Sequence, residues 1–128
     1  MNNIVSIISK AKQYINTFGW IQGDYGNPTE GFCMVGAIRA AVDVTDDREY
    51  NLPPELLDVY KAFTKPLIRR GIEPYRYSAT TINEEITLKR EPFADAANLI
   101  DYNDEGYVKQ IDIIELFDDA LEEASKAA

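Results

Sequence analysis

Four side chains that often act in enzyme sites lie close together near the N-terminus: Trp20, Gln22, Asp24 and Cys33. Cys33 stands close to the start of a predicted helix, where the positive end of the helix dipole lowers the pKa of a thiol. A thiolate at such a position is a strong nucleophile. The spacing therefore predicts a cysteine-dependent enzyme as one hypothesis.

The rest of the sequence weakens this hypothesis. Gln22 lies where a papain-type protease would have its oxyanion-hole glutamine, but the chain contains no histidine to act as the base. A Ser–His–Asp triad and a Cys/His zinc site are excluded within one chain for the same reason. Cys33 is also flanked by Phe32 and Met34, as expected for a buried cysteine. No catalytic residue is assigned, and a non-enzyme is the favoured interpretation.

A second candidate site is the segment 101–112, DYNDEGYVKQID, which fits the spacing of a twelve-residue EF-hand calcium loop. Gly106 stands at the sixth position, where the loop turns sharply. Lys109 and the short final carboxylate depart from the pattern, so the alternative is an acidic helix–turn–helix in which the last residue caps a helix. No other cofactor is expected. The predicted calcium ligands are Asp101, Asn103, Glu105, the Tyr107 carbonyl and Asp112.

Charge is distributed unevenly along a chain of net charge −9. An overall negative field opposes nucleic-acid binding, although basic and aromatic residues alternate within 61–77. Those basic residues are expected to pair with the acidic segments on either side: Lys61, Lys65, Arg69, Arg70 and Arg76, the last of which lies between Tyr75 and Tyr77. The acidic segments predict contact with a basic surface of another protein, through Asp46, Asp47, Glu49, Glu115, Asp118, Asp119, Glu122 and Glu123.

Hydrophobic periodicity predicts a mainly α-helical single domain covering 1–128: a compact bundle of about five helices around a buried central helix at 31–42. The first helix is predicted to end at Gly19. Pro66 is predicted to kink or end a helix that starts at Pro53-Pro54. Segment 72–90 favours either a short β-hairpin or a helix. Further helices are predicted at 92–100 and 112–124.

Three short motifs resemble a family of small uncharacterised actinobacterial and phage proteins, which is catalogued as a domain of unknown function. Gly19-Trp20-x-x-Gly23 is similar to the first family motif, and Phe32-Cys33-x-x-Gly36-Ala37 to the second. Asn103-Asp104 matches a Trp-Asn-Asp turn, with Tyr102 in place of the tryptophan. The resemblance implies a helical fold but no activity or cofactor. It suggests that Trp20, Gln22 and Asp24 meet the Asn103-Asp104 turn, which would either lock the fold or line a small pocket.

The favoured function is a small acidic accessory protein, encoded by a phage, that binds a host defence or regulatory protein by charge mimicry. A calcium- or small-ligand-binding module at 101–112 is the alternative, and an enzyme using Cys33 is the third. No membrane segment and no signal layout are found, so a cytoplasmic location is expected. The oligomeric state is left open.

Overall fold

The structure, a computed structural model, describes residues 3–42, 54–72, 78–82, 85–89 and 94–126. The described residues form six helices and two small antiparallel sheets. The helices are α1 (Asn3–Phe18), α2 (Met34–Ala41), α3 (Pro54–Lys61), α4 (Thr64–Arg69), α5 (Ala94–Asn103) and α6 (Gln110–Lys126). The strands are β1 (Gly26–Asn27), β2 (Gly31–Phe32), β3 (Ser78–Ile82) and β4 (Glu85–Lys89).

The mainly helical fold is confirmed, and so is the hairpin within 72–90. Strands β3 and β4 pair in antiparallel register, with Ser78 opposite Lys89 and Ile82 opposite Glu85. Threonine and isoleucine occupy half of the positions in the two strands, and these β-branched residues favour an extended backbone. The helical alternative for this segment is therefore wrong.

Helix α1 ends where the sequence predicts. Gly19 has a φ of +98°, a left-handed conformation that glycine adopts without a steric penalty. Its N–H donates to the Ile15 carbonyl oxygen at 2.9 Å, which satisfies one of the last carbonyls of the helix. The chain can then turn sharply into the loop that carries Trp20.

Helix α2 is shorter at its start than the predicted 31–42. Gly31 has a φ of +103°, and Phe32 donates its N–H to the Gly19 carbonyl oxygen at 2.9 Å. These two residues belong to β2, which pairs with β1, so Cys33 becomes the residue that caps the helix. The first part of the apolar run is a strand because its backbone groups bond to the preceding loop.

The predicted helix is interrupted near Pro66, but the break lies before the proline, and Pro66 itself is inside the following helix. The predicted continuous helix divides at Ala62–Phe63, and Pro66 is the third residue of α4. A proline is tolerated in the first turn because its missing N–H would have no partner within the helix. The division lets the buried Phe63 ring pack edge-on against Phe117 of α6, with centroids 5.3 Å apart.

The core surrounds α2, as predicted for a helix that is apolar on nearly every side. Helix α2 packs against α1 and α5, while α1 also packs against α3 and α6. Burial of these apolar side chains is the main driving force for the fold. The largest fully buried side chains include Tyr60, Phe63, Phe117, Ile8, Ile15, Met34, Ile38, Leu56 and Leu99.

Helices α5 and α6 both extend into the segment proposed as a calcium loop. Helix α5 continues three residues beyond the predicted end at Ile100, and α6 begins at Gln110. The sequence predicts Asp112 as the residue that caps α6, but Asp112 is the third residue of that helix. Its Oδ2 accepts from the backbone N–H of Lys109 at 2.9 Å, which is the reciprocal half of a capping box.

Candidate functional site

A buried asparagine at the end of α5 joins three separated segments of the chain. The side chain of Asn103 is 1% exposed. Its Oδ1 accepts from Trp20 Nε1 at 2.7 Å and from the Met34 backbone N–H at 3.1 Å. Its Nδ2 donates to the Ile21 carbonyl oxygen at 3.0 Å and to Asp104 Oδ1 at 3.1 Å. The full hydrogen-bonding capacity of the amide is thus used within the protein.

Gln22 and Asp104 extend this network to the surface. Gln22 Nε2 donates to the carbonyl oxygens of Asn103 and Glu105, at 3.0 and 2.9 Å. The Gly23 N–H donates to Asp104 Oδ1 at 2.9 Å. We call these contacts the Asn103 junction; it consists of Trp20, Ile21, Gln22, Gly23, Met34, Asn103, Asp104 and Glu105. The junction joins the first loop to the start of α2 and to the end of α5.

The close approach of the first loop to α2 depends on Gly36. The Tyr25 carbonyl oxygen accepts from the Cys33 N–H at 3.2 Å and lies against the first turn of α2. A Cβ atom at Gly36 would stand 1.9 Å from that oxygen. A side chain at this position is therefore incompatible with the observed backbone.

Cys33 lies in an environment that suppresses its reactivity. The residue is 5% exposed, and its Sγ accepts from the Gly36 N–H at 3.2 Å. Burial raises the pKa of the thiol, and the nearby Asp104 and Asp24 carboxylates raise it further. Two backbone N–H groups at the helix start act in the opposite direction but are outweighed. The predicted lowering of the thiol pKa is wrong, because burial outweighs the helix terminus.

A cleft of about 260 Å³ opens beside the junction. Asp24 lines this cleft and accepts the neighbouring Tyr25 N–H at 2.7 Å, whereas Gln22 forms the junction contacts. The two residues thus divide between the two predicted roles: Gln22 ties the loop and Asp24 lines a pocket. The cleft is lined by Gly23, Asp24, Tyr25, Cys33, Ile100, Asn103 and Asp104.

Of the residues proposed as calcium ligands, Asp101, Asn103 and Asp112 lie in helices, whereas Glu105 and Tyr107 lie in the turn between α5 and α6. Asp101 and Asn103 lie in the last turn of α5 instead of a loop. The Glu105 carbonyl accepts from Gln22, and Asp112 accepts from the Lys109 N–H. Within the described ranges, no group of three or more acidic, histidine or cysteine side chains could hold a metal ion.

Most described members of the predicted acidic contact surface form ion pairs within the chain. Arg69 binds Glu123 at 2.6 Å, and Arg70 binds Asp119 at 2.6 Å. These pairs support the expectation that the basic segment neutralises neighbouring acids. Asp118 and Glu122 pair with Lys12 and Lys126, at 2.5 and 3.5 Å, and Glu115 is exposed. Asp46, Asp47, Glu49, Tyr75, Arg76 and Tyr77 lie outside the described residues.

Two features were not anticipated from the sequence. Arg39 is buried, and its guanidinium lies over the Tyr25 ring at 5.2 Å from the centroid. Arg39 is the only charged residue in the apolar run 31–42, and this isolation in the sequence indicates a specific interaction. Tyr107, in the turn before α6, and Ile111, in the first turn of α6, are exposed, although an apolar residue ordinarily predicts burial.

One comparison identifies the family. A model described as "Family of unknown function (DUF6197)" matches residues 1–123, so the chain belongs to this family. The resemblance to a domain of unknown function is thereby confirmed. No curated protein and no solved structure matches the chain. In the described part of the chain, no helix is long and apolar enough to span a membrane.

Proposed function

We propose that this protein is a non-enzymatic accessory protein that binds a basic surface of another protein. The proposal rests on a difference between the residues that suggested catalysis and the acidic residues of α6. Trp20 and Gln22, which suggested catalysis, are engaged in the Asn103 junction, and burial deprives Cys33 of reactivity. Acidic side chains, in contrast, remain exposed on the turn after α5 and along α6: Asp104, Glu105, Glu115, Asp118 and Glu122.

The sign of the charge determines the class of partner. With a net charge of −9, the protein repels nucleic acids and anionic lipid surfaces and attracts basic proteins at long range. An accessory protein encoded by a phage, directed at a basic host defence or regulatory protein, would fit this description. Lys12 and Lys126 pair with carboxylates at 2.5 and 3.5 Å, but exposed ion pairs are weak and exchange readily for contacts with a partner.

The proposal can be tested by affinity capture from cell extract at about 0.05 M and 0.3 M salt, a range over which the screening length shortens markedly. The triple variant Glu105→Gln/Glu115→Gln/Glu122→Gln should lose the captured proteins. A matched variant, Lys10→Gln/Lys61→Gln/Lys65→Gln, should retain or strengthen capture because it makes the chain more acidic. Equal capture by both variants, at both salt concentrations, would contradict the proposal.

A second candidate function is binding of a small cation at the cleft. Asp24 and Asp104 both line it, and each has its Oδ1 held by backbone N–H groups. Calcium and spermidine are suitable probes, since hard cations and polyamines both prefer carboxylate oxygens. Binding should raise the melting temperature of the wild type at millimolar probe and should be weaker in Asp24→Asn. Unchanged melting with both probes would remove this candidate and the calcium hypothesis for 101–112.

A further inference from the structure

Two large apolar side chains are exposed where the turn after α5 leads into α6. Tyr107 is 64% exposed and Ile111 is 59% exposed, while Val108 between them is buried. The core contacts of α6 are made by other residues, including Ile113, Leu116 and Phe117. We call the exposed pair Tyr107 and Ile111 the 107–111 face. Its apolar side chains do not contribute to the core, and their exposure to water is unfavourable.

The backbone holds this face in a fixed arrangement. Val108 donates its N–H to the Glu105 carbonyl oxygen at 3.1 Å, and Lys109 donates its N–H to Asp112 Oδ2 at 2.9 Å. The Glu105 carbonyl also accepts from Gln22, which connects the face to the Asn103 junction. A surface that is ordered before binding loses less conformational entropy when a partner docks.

Acidic residues lie close to the exposed pair in the sequence. Glu105 is two residues before Tyr107, and Glu115 follows Ile111 by four residues, so the latter two share one side of α6. Asp104 is also exposed, and Lys109 is the cation that lies within the segment. The flanking charge is thus predominantly negative.

A second exposed isoleucine provides the contrast. Ile68 on α4 is 47% exposed, but its neighbours are Lys65 and Arg69. The two surfaces offer a similar apolar group in opposite electrostatic surroundings. A partner chosen by charge will therefore distinguish them, whereas nonspecific hydrophobic association will not.

We infer that the 107–111 face is the docking site for a basic segment of a partner protein, in which an apolar side chain is flanked by lysine or arginine. The inference rests on the proposed function and names its surface. Charge complementarity determines the occupant, because a second copy of a chain with net charge −9 would be repelled, as would an anionic membrane. Two anchoring side chains make a small interface, so binding should be weak and reversible.

Three synthetic helical peptides of 14 residues provide the probes: one of leucine and lysine, one of leucine and glutamate, and one of serine and lysine. Binding is followed by backbone amide NMR shifts. The leucine–lysine peptide should bind tightest and should shift the amides of residues 105–115. The variants Tyr107→Ser and Ile111→Ser should each weaken binding by about fivefold or more. Ile68→Ser, the matched control, should leave it unchanged.

Each of the following results would overturn the inference, and one of them would also overturn the proposed function. If the leucine–lysine peptide binds wild type and Ile111→Ser equally, the inference fails but the proposed function stands. If the leucine–glutamate peptide binds as well, charge does not select the partner and both fail. If the serine–lysine peptide binds equally well, no apolar anchor exists and the inference fails. Self-association of the wild type that Ile111→Ser abolishes would make a second copy the occupant, which also overturns it.

Discussion

The Asn103 junction and the outer surface of α6 are both rich in polar groups, but they use those groups differently. In the junction, a buried amide makes four hydrogen bonds within the protein. On α6, the Asp118 and Asp119 carboxylates, which are about half exposed, pair with lysine and arginine side chains. Buried polar groups are costly to leave without partners, whereas exposed ion pairs contribute little. Residues that look catalytic in the sequence thus hold the fold, and the charged surface is available for contacts.

The largest effect is expected from Asn103→Ala. The substitution leaves the Trp20 indole N–H, the Met34 N–H and the Ile21 carbonyl without their partner, and each loss costs about 1–3 kcal/mol. The free energy of unfolding should fall by about 3 kcal/mol or more, measured by urea denaturation. Asn16→Ala, the same substitution at an exposed position of α1, should change it by less than about 0.5 kcal/mol. Similar small changes in both variants would remove the distinction between the two regions.

Gly36→Ala should be the next most damaging change. The added Cβ would meet the Tyr25 carbonyl oxygen at 1.9 Å, so the first loop must move away from α2. Overpacking of this kind costs about 1–3 kcal/mol, despite the better helix propensity of alanine. Gly106→Ala provides the control, because its Cβ would meet nothing within 4 Å. Thermal melting of the two variants checks the prediction, and equal melting temperatures would show that the close approach is not required.

Cys33 should make stability depend on alkaline pH. Its folded-state pKa lies above the ordinary value of 9.0, so the protonated thiol is favoured by folding. This contribution is fully present below pH 9 and is lost as the pH rises through the folded-state pKa. Burial also raises the pKa values of Tyr60 and Tyr102 above the ordinary value of 10.0. Both tyrosines should therefore lower the stability of the fold further at higher pH.

The variant Cys33→Ser isolates the thiol, since a serine hydroxyl can keep the capping contact with Gly36. Between pH 8 and 10, the wild type should lose more stability than the variant. Native Cys33 should also react with Ellman's reagent more slowly than free cysteine, because burial raises the pKa of the thiol and limits access to it. Rapid reaction at neutral pH would instead revive the cysteine-enzyme hypothesis.

The smallest effect is expected on α6. A double-mutant cycle with Arg69→Gln and Glu123→Gln should give a coupling free energy of about 0.2–1 kcal/mol, which decreases with salt. The guanidinium is about half exposed, at 54%, so water competes for the pair. A coupling of about 2 kcal/mol or more, insensitive to salt, would place this face with the structural elements and break the comparison.

Local patterns in the sequence predicted much of the fold. Hydrophobic periodicity identified the helices, and Gly19 identified the end of α1. The boundaries at α2 and α4 were missed because long-range bonds decide them: Phe32 bonds to Gly19, and Phe63 packs on Phe117. Local propensity carries no information about such partners.

The site was predictable only in part. The shared motifs suggested that Trp20 and Gln22 meet the Asn103-Asp104 turn, but the four bonds of the amide depend on the folded geometry. The expected effect of the helix terminus on Cys33 was reversed by burial, which depends on tertiary packing. Exposure of Tyr107 and Ile111 likewise could not be inferred, since hydrophobicity predicts burial.

Hydrogen exchange of the Trp20 indole Nε1–H tests the structural role of the junction most directly. The chain contains one tryptophan, so this proton gives a single NMR signal, and it donates to Asn103 Oδ1 at 2.7 Å. The Trp20 indole proton should exchange only with global unfolding, as slowly as the core amides of α2, and Asn103→Ala should abolish this protection. Exchange in the native wild type at the rate of free tryptophan would contradict the account.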